Sequence, residues 1–96
     1  MLYDEKWGCR HQVFLDAAQE IEKSGFCKGR GVGDDGSVCA LQALFLVSPS
    51  DTIYQEACSK LERLTGINFV PHWNDAPERT KEDVINAFRV LAYMDE

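Results

Sequence analysis

Residues 29–47 read GRGVGDDGSVCALQALFLV, and the fold turns on whether this glycine-rich run feeds a strand or a helix. From Val38 to Val47 only Gln42 is polar. A run that is apolar nearly all round is either a buried strand or a helix enclosed by other elements. Ten residues rich in alanine and leucine, with little β-branching, predict the helix. It is read as the central element of the fold, with Ser37 as its N-cap. The preceding FCKGRGVGDDGSV (26–38) has the residues of a reversing segment. It offers an extended arm, Asp35-Gly36 as turn chemistry and a return arm, hence a small β-hairpin or a glycine loop.

Outward from that run the chain reads as helices. Over residues 10–24, Val13, Phe14, Ala17, Ala18 and Ile21 share one helical face, and Gly25 is placed to end it. Ser48, Pro49 and Asp51 read as the cap, first residue and first-turn acid of the next helix. Ile53, Ala57, Leu61 and Leu64 form its stripe before Gly66. INFVPHWNDAPER (67–79) is expected to be an irregular connector, because Pro71 and Pro77 interrupt a helix. Thr80 and Asp83 have capping-box spacing ahead of a last face of Val84, Ile85, Phe88, Leu91 and Ala92. The expected fold is all-α: one compact four-helix domain over residues 1–96, with a central apolar helix and a small hairpin or glycine loop before it.

Composition narrows the partners. With 16 acidic against 10 basic side chains the net charge is −6, which repels polyanions and so disfavours duplex DNA or an anionic membrane. The four cysteines (Cys9, Cys27, Cys39, Cys58) contain no C-x-x-C pair, and neither a secretory signal nor a long apolar span is evident. The expectation is a cytoplasmic protein with reduced thiols. A hydrophobic content of 45% argues for a packed core rather than a disulfide scaffold. Cys9 and His11 lie close in sequence, but Cys27, Cys39, Cys58 and His72 are scattered without a knuckle spacing, so neither a metal nor a cofactor is expected.

Gly31, Gly33 and Gly36 spell G-x-G-x-x-G, yet the residues before them are not a buried strand, and Asp34 and Asp35 put carboxylates where phosphate oxygens would lie. A Walker loop is excluded too, since no Gly-Lys-Ser/Thr follows. A weaker anion site remains, at the helix start by Ser37 with Lys28 and Arg30 beside it. The plainer alternative is a glycine turn with both cations solvated. Cys39 in the first helical turn, with His72 and Asn74, has the residue types of a thiol hydrolase. Its neighbours Val38, Ala40 and Leu41 favour a packed, inert thiol. Trp73 reads as a core plug, and Asn74 and Asp75 as residues bonding nearby backbone.

Two blocks, GFCKGRGVGDDGSVCALQAL (25–44) and WNDAPERTKEDVINAF (73–88), resemble a small family of unknown function found in actinobacteria and their phages. The matching positions are Gly25, Phe26, Cys27, Gly29, Gly36, Val38, Cys39, Trp73, Asn74, Asp75, Arg79 and Thr80. Leu41-Gln42-Ala43 departs from the pattern where a Gly-Ala pair is usual. The resemblance implies a phage or prophage context but no activity. The leading expectation is a small acidic accessory protein, non-enzymatic, that binds and modulates a host protein, with anti-defence as one such role. Two alternatives stand beside it: a homo-oligomeric sponge holding a small nucleotide signal among Lys28, Arg30, Ser37, Trp73, Asp75 and Arg79, and a hydrolase using Cys39.

Overall fold

The computed structural model describes residues 5–93, with side chains from Gln12 onward, so Cys9 and His11 lie outside the described side chains. The described residues form five helices: α1 Glu5–Ser24, α2 Ala40–Val47, α3 Asp51–Thr65, α4 Val70–Asn74 and α5 Lys81–Tyr93. The all-α reading holds, with the short α4 added to the four helices expected.

The first helix ends where the sequence places its stop. Gly25 has φ +95°, and its N–H donates to the Ile21 carbonyl at 2.8 Å. A Cβ there would also come within 3.3 Å of the Ser37 Cβ, so glycine answers both the backbone and the close approach. The following segment folds around one extended residue, Val38, which pairs in parallel with Phe26 and antiparallel with Val32. Val38 N–H donates to Gly25 at 2.9 Å, its carbonyl accepts from Cys27 at 3.1 Å, and Cys39 N–H donates to Gly31 at 3.0 Å. The two isolated bridges close a glycine loop rather than building the hairpin.

Because Val38 is committed to those pairings, α2 begins two residues later than the sequence suggests. Cys39, not Ser37, is its N-cap: the backbone is extended there, and Sγ accepts the Gln42 N–H at 3.3 Å. Ser37 is buried inside the loop, with its N–H on Asp35 Oδ1 at 3.0 Å. At the other end Ser48 terminates α2, its hydroxyl on the Leu44 carbonyl at 2.6 Å, so it does not start α3. Ser50 takes that role and accepts the Ile53 N–H at 3.2 Å. Pro71 opens α4 from its first turn instead of leaving the connector irregular, since a prolyl nitrogen there has no intrahelical bond to lose. Thr80 and Asp83 cap α5 reciprocally, at 3.0 and 3.1 Å.

The core is one continuous cluster. α1 packs along α5, with Phe14 and Phe88 ring centroids 6.3 Å apart, and α2 lays Ala40, Ala43 and Leu44 against it. Leu61 of α3 and Val70 and Trp73 of α4 complete it. α2 is not enclosed all round, however: Phe45 and Leu46 are 55% and 51% exposed.

Phe88 is fully buried in the α1–α5 seam, so Phe88→Ala is expected to lower the unfolding free energy by about 3–5 kcal/mol. Urea denaturation followed by circular dichroism checks this, with Tyr93→Ala, at an exposed position on the same helix, as the near-neutral comparison.

Candidate functional site

The α4 sequence ends in Trp73-Asn74, and the asparagine, 1% exposed, is the most buried polar side chain described. A primary amide offers acceptor and donor together, and both are used. Oδ1 accepts the Ala40 N–H at the start of α2 (2.9 Å), while Nδ2 donates to the Cys27 carbonyl (3.2 Å) and to Asp75 Oδ1 (2.9 Å). Asp75 Oδ1 in turn accepts the Gly29 N–H at 3.0 Å. Lys28 Nζ reaches across to the carbonyls of Ala76 at 2.8 Å and Pro77 at 3.3 Å. The two sequence blocks therefore meet, stapled through backbone groups of the glycine loop.

Beside the staple lies an open cleft of about 460 Å³. Gly29, Arg30 and Gly31 form one rim, Cys39, Leu41, Gln42 and Phe45 of α2 the floor, and Tyr54, Pro71 and Asp75 the remaining walls. Phe45 and Tyr54 stand edge to face with centroids 5.6 Å apart, an arrangement aromatic quadrupoles favour. Burial, with Cys58 nearby, pushes the Tyr54 hydroxyl up to about 12, so it is a neutral donor at any physiological pH. Burial likewise raises the Cys58 and Cys27 thiols. Hydrogen bonds from Asn74 and the Gly29 N–H, with the Lys28 charge, hold the Asp75 carboxyl below its ordinary value.

The three basic residues of the expected ligand site each have internal partners. Lys28 is on two carbonyls, Arg30 is on Asp34 at 2.9 Å, and Arg79 stacks 4.6 Å over the buried Trp73 ring while donating to the Trp73 carbonyl at 2.9 Å. Ser37 is turned into the loop. Cys39 and Asn74 both border the cleft, but His72 is exposed, and no hydrogen bond joins it to either among the described residues. The Asn74 oxygen that would orient an imidazole is already on the Ala40 N–H. Among the described residues, no three His, Cys, Asp or Glu side chains gather to hold a metal ion, and no helix is long and apolar enough to cross a membrane.

Sequence reasoning missed Phe45 and Tyr54 as walls of a site: a nearly continuous apolar run hides Phe45 as core, and nothing near Tyr54 in sequence ties it to the loop. The usable signal was length: eight residues of helix cannot turn every face inward in so small a chain.

The chain belongs to a family of unknown function, DUF6197, whose model matches residues 10–93 and so spans both blocks. No curated protein and no solved structure matches it.

Asn74→Ala strands the Ala40 N–H and the Cys27 carbonyl, and is expected to cost about 2–4 kcal/mol in urea denaturation. The Asp75 staple is pH-dependent in a defined direction. Its folded pKa lies below the unfolded value of about 3.9, so its contribution is complete above that pH and drains away as pH falls through the folded value. Across about pH 5 to 3, Asp75→Asn, which keeps an acceptor oxygen but no charge, should lose less stability than the wild type. Urea midpoints at each pH measure the difference.

Proposed function

We propose that this member of the family is a non-enzymatic binding protein that modulates another protein, with the outer face of α2 and the adjoining cleft as its contact surface. The observation that carries the reading is the exposure of Phe45 and Leu46, 55% and 51%, on a helix with no charged residue. Phe45 lines the cleft and Leu46 follows it on the exposed side of α2, and apolar surface of this kind beside a cleft is what a protein contact covers. The engagement of Lys28, Arg30 and Arg79 in internal contacts favours this over sequestration of an anionic nucleotide. Use of the Cys39 sulfur as a helix cap favours it over thiol hydrolysis. The likeness of the two blocks to proteins of actinobacteria and their phages supports an accessory protein acting on a host protein, in the host cytoplasm.

The test compares the wild type with a Phe45→Glu/Leu46→Glu double variant in affinity capture from an actinobacterial lysate. Both side chains are largely in solvent, so the thermal melts of the two proteins should coincide within a few degrees. One protein enriched by the wild type and lost by the variant is expected. Equal recovery by both, or none by either, overturns the reading. A rise in melting temperature with mono-, di- or cyclic nucleotides would move the assignment to the sequestering alternative.

A further inference from the structure

Resting on that reading, we propose that the cleft seats an arginine side chain carried on an apolar segment of the partner, its guanidinium on Asp75 and its stem against Phe45 and Tyr54. The carboxylate is prepared for such a guest. Both of its internal hydrogen bonds land on Oδ1, from Gly29 N–H and Asn74 Nδ2, and the exposed Asp75 side chain lines the cleft. Lys28 and Arg30, the basic residues beside the cleft, each have an internal partner. Arg30 is neutralised by Asp34, whose own side chain is fully exposed, and the Lys28 ammonium is turned onto the carbonyls of Ala76 and Pro77. The Lys28 charge still bears on Asp75, so a guest arginine would share that carboxylate with it.

The walls suit arginine in particular. A planar, weakly hydrated guanidinium stacks on aromatic rings and still directs an N–H in its plane, whereas an ammonium keeps its water. The apolar neighbours of that arginine would lie along Phe45 and Leu46. The net charge of −6 adds long-range attraction for a basic segment.

The experiment measures fluorescence anisotropy of a labelled amphipathic peptide of leucine and arginine on the full chain. Its comparators are the same peptide with glutamate for arginine, the same peptide with lysine for arginine, and a scrambled order that destroys the apolar stripe. Binding of the leucine–arginine peptide is expected, weaker by about ten-fold with lysine or scrambled order and absent with glutamate. Asp75→Asn should weaken it about ten-fold, while Glu82→Gln, which removes one exposed charge on α5, should leave it unchanged. Equal weakening by Asp75→Asn and Glu82→Gln would mean general attraction to an acidic chain and overturns the inference. Undiminished binding by Asp75→Asn, or no binding of the leucine–arginine peptide to the wild type, also overturns it. If Phe45→Glu/Leu46→Glu abolishes capture of the partner while Asp75→Asn does not, the contact face stands and the arginine seat falls.

Discussion

One buried amide organises this molecule. Two backbone stretches have polar groups without regular partners: the start of α2 and the arm after α1. Orphan donors at a helix start and carbonyls in an irregular arm are costly to bury unless something meets them. Asn74 meets a donor and an acceptor at once, on segments 34 and 47 residues away in sequence. No carboxylate would serve, because it accepts only and would face the Cys27 carbonyl with a second negative oxygen. The specificity of the site thus comes from hydrogen-bonding type rather than from packing volume.

That constraint explains the glycine loop better than any ligand does. The loop is held by Val38 pairing to both sides, by Asn74 from below and by Asp75 at Gly29. With the Gly29, Gly33 and Gly36 N–H groups on Asp75, Ser37 and Gly33, the G-x-G-x-x-G spacing folds a short segment back tightly on itself. The pinning has a by-product. A loop anchored at Gly29 and Gly31 stands as a rim above α2, and the space between rim and helix is the cleft. Structural staple and candidate site share Asn74 and Asp75, two of the positions that carry the family resemblance.

The legible part of the fold was the part written in local periodicity. The faces of α1 and α5, the glycine stops at Gly25 and Gly66 and the Thr80–Asp83 cap each rest on residues within a turn or two of one another, and each appears as read. The misplaced boundaries have long-range causes. Val38 is drawn out of the helix by Phe26 and Val32, the cap moves to Cys39 in consequence, and α4, with Pro71 in its first turn, carries Asn74 to both segments. Nothing in the spacing of Asn74 announces contacts that far away. The two blocks contain the residues of the contact, but neither block says that they meet or which atoms touch.

The exposed face of α2 follows from the same economy of size. A chain of 96 residues has enough surrounding structure to cover one stripe of an eight-residue helix, and Ala40, Ala43 and Leu44 are that stripe. Small alanines let α2 approach α1 closely, which leaves the bulky Phe45 and Leu46 on the opposite side. Fold stability alone would place polar residues there, as α3 does on its solvent side with Gln55, Ser59 and Arg63. Keeping phenylalanine and leucine in solvent raises the hazard of self-association and returns nothing to the core. On the function proposed above, those side chains are half of a contact whose other half is a different molecule.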